Sequence, residues 1–328
     1  MSLVEIIKSW NNKKVLIIGE ALIDKYITGH ADRISPDAPV PNIKIEENFT
    51  YLGAIGLVLK FIKSLGGKPE ICTILGNDYE GDFFLKKLKE LSIETTGVLV
   101  DDTISTPQIT RIKAMNQHVL RLETDYKNNI PDLTINKFFE LILSKSSDFN
   151  SILILDYGIG GLFQDIFVNN LLKKIRENFQ APIIARPNFN NYYLYEGIDM
   201  IRLNLQKALH ALSIECCNDT SVSIVGQRII NGTKCKNVLL NYIESKSYLF
   251  TNTKENFEII PSSMNTPVRS FVAVGSIIMA ILGLSYANNY PIIDIVKLAL
   301  KTACLSASLP PIEFFNQETL IKYILKDS

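Results

Sequence analysis

The residues most suggestive of chemistry form a short turn before a long apolar helix. The stretch NTPVRSFVAVGSIIMAILGL, residues 265–284, begins with polar residues, passes through the small-residue turn VAVG and then becomes almost wholly apolar. A helix N-terminus after such a turn favours phosphate, because its free amides and dipole attract an anion. An enzyme that transfers phosphate also needs an acidic residue there to accept a proton. The turn ends in Gly275 and contains no acid.

Strands alternating with helices must position that turn. KKVLIIGEALID is typical of a buried parallel strand, and GAIGLVLKFIKSLGG of a helix that ends at its glycines. Two segments, approximately 26–52 and 104–123, instead alternate with a period of two and predict a small sheet beside the main one. We therefore expect a single α/β domain over residues 1–328, with a mostly parallel sheet covered by helices on both faces.

Composition narrows the classes of function. The chain has 34 basic and 34 acidic residues. Because its net charge is zero, electrostatics gives no reason to expect nucleic acid as a partner. Its five scattered cysteines show no metal-binding spacing and predict a reducing, cytoplasmic location. The N-terminus lacks the pattern of a secretion signal. The uncharged run 271–287 is shorter than the roughly 20 residues of a membrane span, so it predicts a buried helix and no membrane association.

Three further stretches resemble a known family. RISPDAPVP (33–41) follows GEALID, TRIKAMNQHVLRLETD alternates like a lid hairpin, and ILILDYGIGG is a strand followed by a turn. Together they resemble the ribokinase (PfkB) family of sugar kinases, and within it the heptose-7-phosphate kinase branch of ADP-heptose synthesis. The resemblance runs over nearly the whole chain. It implies a ribokinase-like three-layer αβα sandwich with a small β-sheet lid, often dimeric through the lids.

The same resemblance identifies what the helical turn has lost. In the family, a G-A-G-D turn supplies the base and the amides that bind phosphate, and it aligns with Val272, Ala273, Val274 and Gly275. Gly275 stands at the base position without a side chain, and the valines fill space and restrict the backbone where glycines are expected. Arg269 replaces the aspartate that opens the motif. The resemblance therefore implies a degenerate anion hole and no catalytic residue.

Other family motifs are altered as well. The N-x-x-E motif near the metal keeps Asn204 but has Lys207 for its acid, and the D-P-K strand end has Arg186 for its acid. With Asp156 of the S-D-Y-x-K-G turn, Asn204 forms a candidate residual cleft. These changes predict no metal site and no cofactor, with MgATP expected only for an active kinase. Ile159, Lys246 and Gly56 likewise replace a family lysine, a nucleotide-loop glycine and a sugar-binding asparagine.

The sugar end of the family pattern is better kept. Its basic residues could bind a sugar phosphate through charge-assisted hydrogen bonds, although solvated lid charges or dimer contacts explain them equally well. The candidates for sugar-phosphate binding are Asp24, Arg33, Ser35, Gly53, Arg111, Lys113, Asn116 and Arg121.

Three functions follow from these patterns. The first is a pseudokinase that binds a sugar phosphate or a protein partner without turnover. The second is an active kinase for a heptose 7-phosphate or a related sugar phosphate, with Glu20 or Asp156 recruited as the base. The third is another enzymatic activity on the same fold. The lid predicts a homodimer, or a heteromer with a related kinase, because open sheet edges favour pairing.

Overall fold

The computed structural model describes residues 2–115, 117–125, 130–145, 147–159, 161–214, 219–242, 246–253, 258–261, 267–288 and 290–326. The predicted site residue Asn116 lies outside these ranges. The strands are β1 (Lys14–Gly19), β2 (Ile23–Ile34), β3 (Pro41–Leu52), β4 (Lys68–Gly76), β5 (Val98–Asp101), β6 (Gln108–Ala114), β7 (Gln117–Thr124), β8 (Ser151–Leu155), β9 (Ile183–Arg186), β10 (Met200–Asn204), β11 (Asn237–Asn241), β12 (Lys246–Thr251) and β13 (Glu258–Pro261).

Helices connect most of these strands. They are α1 (Leu3–Lys8), α2 (Ile55–Ser64), α3 (Tyr79–Glu90), α4 (Asp132–Leu143), α5 (Asp165–Asn178), α6 (Leu205–Ala211), α7 (Asp219–Thr233), α8 (Val274–Ser285), α9 (Ile292–Ser308) and α10 (Gln317–Lys326). A short 3-10 helix spans Phe189–Leu194.

The main sheet has the order β13-β12-β11-β10-β9-β8-β1-β4-β5. Its strands from β11 to β5 are parallel, and β12 and β13 add an antiparallel edge. In β1, Val15 and Ile17 pack into one hydrophobic core with α2, α8 and α9. Leu16 and Ile18 pack into a second core with α4, α5 and α7. Because one strand serves two cores, the sheet carries helices on both faces, and the predicted αβα fold is confirmed.

The second sheet is the small lid, with the order β3-β2-β6-β7. Its halves come from separate parts of the chain and join through the parallel pair β2–β6. All four strands begin or end in one row. Ile23 is paired with Leu52 on one side and with Gln108 on the other, and Gln108 is paired with Thr124. The edge strand β7 is exposed along its whole length.

The helix α8 lies at the centre of one core. All of its residues except Gly275 are buried, which explains its almost uninterrupted apolar sequence. Across the described part of the chain, no helix combines the length and the apolar character needed to cross a membrane. The core packing of α8 fixes where its N-terminus points.

Candidate functional site

A cleft of about 780 Å³ lies between the lid and the carboxyl ends of β9, β10 and β11. Open α/β sheets bind ligands at this edge, and the volume suits a small molecule. The lid contributes residues of β2, β6 and β7, and the opposite wall includes the N-terminus of α8. The turn singled out in the sequence therefore faces the cleft.

The turn uses part of its own hydrogen-bonding capacity. The amide of Val272 donates to Ser270 Oγ at 3.2 Å, and that of Val274 donates to the Phe271 carbonyl at 3.3 Å. Ala273 is buried and caps α8 without a side-chain hydrogen bond. Val272, Val274 and Gly275 line the cleft. Two amides of the turn are thus engaged within the protein, and two branched side chains occupy its surface.

Arg202 is the charged group nearest to the base position. It belongs to β10, lines the cleft and is only 5% exposed. A Cβ built on Gly275 would lie 3.2 Å from its Nη1 atom. Its Nε atom has no hydrogen-bond partner. Burial, together with the nearby Arg186, lowers the pKa of Arg202 to about 9, so the side chain remains cationic at neutral pH.

Two more basic residues complete what we call the cationic cluster, Arg186, Arg202 and Lys207. The Arg186 guanidinium donates to the Asp156 carbonyl at 2.6 Å and lies 4.1 Å from the centre of the Tyr157 ring. Burial lowers the pKa of Lys207, and so do the charges of Arg186, Arg121 and Arg202, whereas Glu123 opposes the shift. Within the described ranges, none of the three cluster residues forms an ion pair.

This end of the cleft does not fit the magnesium ion that the family resemblance implies. Magnesium prefers oxygen ligands, especially carboxylates. Lys207 stands at the position of the family acid, and Asn204 uses Oδ1 to accept from the Lys207 amide at 3.0 Å, which caps α6. No group of three or more metal-ligating side chains occurs among the residues that the structure describes. The local charge is positive instead.

At the sugar end, the predicted residues pair with one another. Asp24 forms an ion pair with Arg111, and their side chains are 6% and 16% exposed. Burial raises the pKa of Asp24, although Arg111 opposes the shift. A Cβ on Gly53 would lie 2.8 Å from Asp24 Oδ2, so glycine is needed there for space. Arg121 forms a more exposed ion pair with Glu123.

The cleft therefore brings together only some of the predicted residues. Asp24, Arg111, Arg121 and Asn204 line it. Of the others, Arg33 is exposed at the far end of the lid, Ser35 Oγ accepts from the Asp37 amide at 3.3 Å, Lys113 lies 5.7 Å from the Tyr26 ring centre, and Gly53 packs behind Asp24.

Sequence reasoning missed Arg202 and Asn241 as cleft residues. Asn241 ends β11, is 2% exposed and has no partner for Oδ1. The sequence does hold a signal for Arg202, since DMIRLN places one charge within an otherwise apolar strand. A buried strand accepts such a charge only where it meets a partner or a site.

Glu20 and Asp156 line a second, smaller pocket of about 450 Å³. Glu20 Oε2 accepts from the amides of Tyr157 at 2.8 Å and Ile159 at 3.1 Å, whereas Oε1 has no partner. Burial, and secondarily the Asp156 carboxyl, raises the pKa of Glu20 to about 8. Neither carboxyl group lines the cleft that contains Gly275.

Sequence comparison relates the chain to curated HldE proteins. No protein-family model matches the chain. It is 26% identical over 274 residues to the bifunctional protein HldE of Desulfatibacillum aliphaticivorans, which covers 84% of this chain and 55% of that protein. It is 31% identical over 201 residues to HldE of Helicobacter pylori J99, covering 60% and 43%. The chain spans about half the length of the curated relatives it matches.

Solved structures share the fold. Phosphofructokinase-2 of Escherichia coli, in complex with substrates and products, matches with a TM-score of 0.77 and 14% identity over 96% of this chain and 99% of that one. Ribokinase of Arabidopsis thaliana, complexed with ribose and ATP, matches with a TM-score of 0.75 and 14% identity over 95% and 99%. These likenesses establish the architecture of the chain.

Proposed function

We propose that the chain, which is related to HldE and shares the fold of ribokinase-like (PfkB) carbohydrate kinases, is a pseudokinase. It keeps the family fold and binds a sugar phosphate or a protein partner, but it transfers no phosphate. No cofactor is required for this role.

The observation that carries this proposal is the replacement of a base by a cation. Phosphoryl transfer to a hydroxyl needs a group that accepts the hydroxyl proton and donors that stabilise charge on the phosphate. Gly275 offers no acceptor, and the guanidinium of Arg202 lies against it. With a pKa of about 9, this arginine is protonated at neutral pH and accepts no further proton. The engaged amides of Val272 and Val274 further weaken the anion hole.

An active kinase is the second candidate, and Glu20 is the observation that favours it. Its raised pKa, about 8, would suit a general base near neutral pH. However, Glu20 faces the smaller pocket together with Asp156, and its Oε2 atom is held by two backbone amides. A substrate in the main cleft would therefore have no direct contact with it.

The lid supports the proposal of a protein partner, which we take to be a second copy or a related kinase. Both edge strands are open, since β7 is exposed throughout and β3 over most of its length. Exposed apolar side chains lie on them, including Ile45, Leu120 and Leu122. Open edges with apolar side chains favour strand pairing.

The decisive experiment measures ATP-dependent phosphorylation of heptose 7-phosphate by ADP release, with the kinase region of an HldE protein as the positive control. We expect no turnover above the buffer blank. MgATP should also leave the melting temperature unchanged, whereas binding at 100 times Kd would stabilise the fold by about 2.7 kcal/mol. Turnover near 1 s⁻¹, at the lower end of the usual kinase range, would contradict the proposal.

A further inference from the structure

We propose that the cationic cluster binds the phosphoryl dianion of a small molecule without a divalent metal, with Arg202 as its central ligand. This inference deepens the proposed function and rests on it, because it names the chemical class that the inactive cleft holds. The ligand is inorganic phosphate or a phosphate ester.

The first support is the buried Nε atom of Arg202, which lacks a hydrogen-bond partner within the described part of the chain. A charged side chain that is 5% exposed normally makes hydrogen bonds to compensate for the water it has lost. The Nε atom of Arg202 makes none, although the residue faces the cleft. Guanidinium donors match the oxygens of phosphate in a two-point geometry. Nε is itself buried, but the terminal nitrogens of the guanidinium lie beside Gly275 at the cleft wall, where an oxyanion would meet them and supply a counter-charge.

The second support is the mutual repulsion within the cluster. The three side chains line one wall of the cleft, and Arg186 lowers the pKa of both Arg202 and Lys207, as a nearby like charge does. Arg186 is partly occupied by the Asp156 carbonyl, but none of the three forms an ion pair within the described part of the chain. The carboxyl groups of Glu20 and Asp156 act on Arg186, and that of Glu123 acts on Lys207, but none of them pairs with the cluster among the described residues. Like charges held close together destabilise the fold. A dianion between them would remove that penalty.

The third support is the other wall of the cleft. Gly275 and Ser276 are the second and third residues of α8, so their amides are among those that a helix leaves without an intrahelical acceptor. The missing side chain at Gly275 opens the approach to Arg202. Asn241 also lines the cleft, at the end of β11.

The cluster also determines how magnesium should act. In a metal-dependent kinase, the ion bridges phosphate oxygens and neutralises their charge. Here, protein cations occupy that role, so a magnesium ion on the ligand would be repelled by the cluster and would reduce the attraction of the ligand to it. We therefore expect magnesium to weaken binding, the opposite of its effect on a working kinase.

The experiment is isothermal titration of the full chain in EDTA with inorganic phosphate, pyrophosphate, ribose 5-phosphate and ATP, at an ionic strength kept constant with sodium chloride. We expect saturable binding of at least one phosphate compound, and competition between those that bind. The strongest binder distinguishes free phosphate from an ester. Excess magnesium should raise its Kd. Binding that requires magnesium, or no saturable binding of any of the four, would overturn the inference.

Two variants and a control place the site. Arg202→Met should raise the Kd about tenfold to a hundredfold, as expected for the loss of charged hydrogen bonds, and should raise the melting temperature of the ligand-free protein. Gly275→Asp should weaken binding comparably by offering Arg202 a carboxylate. Arg228→Met, on the exposed face of α7, should change neither. Unchanged affinity in both cleft variants would refute the assignment.

The two proposals fail separately. If none of the phosphate compounds binds and no kinase turnover is measured, the phosphate site is refuted and the pseudokinase proposal still holds. Measured kinase turnover would overturn the pseudokinase proposal, whatever the affinity for free phosphate.

Discussion

The guanidinium of Arg202 lies beside Gly275, so close that a Cβ on the glycine would be 3.2 Å from Arg202 Nη1. This distance is tight but involves the end of a side chain, so a small shift could accommodate it. An acidic residue at position 275 would therefore meet the buried guanidinium of Arg202, which forms no ion pair with any described residue, before it met a substrate.

This relationship predicts that Gly275→Asp will not restore kinase activity. A positioned base contributes about 10² to 10⁴ in rate, but the new carboxylate would pair with Arg202, and Val272 and Val274 would still cover the phosphate site. We expect the variant to melt at a higher temperature, since a buried charge gains a partner. Activity is measured by ADP release from MgATP with heptose 7-phosphate.

Gly275→Ala is the matched control, because it adds the Cβ without the carboxylate. It should show no gain in melting temperature. Kinase turnover in Gly275→Asp at rates typical of the family would mean that the turn still seats the phosphates, and it would contradict the interpretation of a degenerate anion hole.

A second prediction concerns the pH dependence of stability. Burial raises the pKa of Glu20 in the folded chain to about 8, from an ordinary value of 4.5. As pH rises between these values, the unfolded chain releases a proton that the folded chain retains, so stability falls by up to about 1.4 kcal/mol per pH unit. Glu20→Gln cannot titrate and should lose this decline. Urea unfolding at pH 5 and at about pH 7.5 measures the difference.

Exposed Glu94→Gln is the control for that prediction and should follow the wild type at both pH values. If Glu20→Gln declined with pH as steeply as the wild type, Glu20 would not be the group responsible.

A third prediction tests the lid as an assembly surface. Leu120 lies on β7 with half of its surface exposed, and replacing it by glutamate places a charge on the proposed contact. We expect the wild type to be a dimer at tens of micromolar and Leu120→Glu to shift towards the monomer in light scattering. Ile166→Glu, a more exposed apolar position on α5, should keep the wild-type mass. A monomeric wild type would argue against the homodimer.

A fourth prediction uses two glycines of one helix. In α7, a Cβ on Gly226 would lie 2.1 Å from Cζ of the buried Phe250 ring, whereas nothing lies within 4 Å of a Cβ on Gly232. Gly226→Ala should lower the free energy of unfolding by about 1–3 kcal/mol through overpacking. Gly232→Ala should be neutral or slightly stabilising, since alanine favours helix. Urea titration of both variants measures the contrast; equal effects would exclude the steric explanation.

The fold was largely predictable because its signals are local. The apolar run IIDIVKLALKTACLSAS predicts a helix, and α9 spans Ile292–Ser308. The alternating segments that predict a second sheet pair as β2 and β6. Buried strands and helices differ in the spacing of their apolar residues, which is visible without any knowledge of distant contacts.

The site was less predictable because it depends on contacts between distant segments. Arg202 meets Gly275 only after β10 and α8 have packed against each other, and no local pattern encodes that approach. Arg111 is predicted to bind a sugar phosphate, but the β2–β6 register places it opposite Tyr26, two residues from Asp24, and the ion pair with Asp24 uses part of its charge. The role of each charge therefore depends on which opposite charge the fold places beside it.

The paired residues Ile23, Leu52, Gln108 and Thr124 form one row, so the four strands of the lid leave the main domain at the same level. In any rotation of the lid about this row, the displacement of a residue grows with its distance from the row. With about 3.3 Å per residue, Arg111 stands roughly 10 Å above the row and Ile34 roughly 36 Å. A rotation of about 10° would then displace Arg111 by about 2 Å and Ile34 by about 6 Å on the same geometry. The same rotation would thus move the far edge of the lid about three times as far as it moves Arg111 at the cleft. A contact at the far edge would therefore change the width of the cleft in small steps.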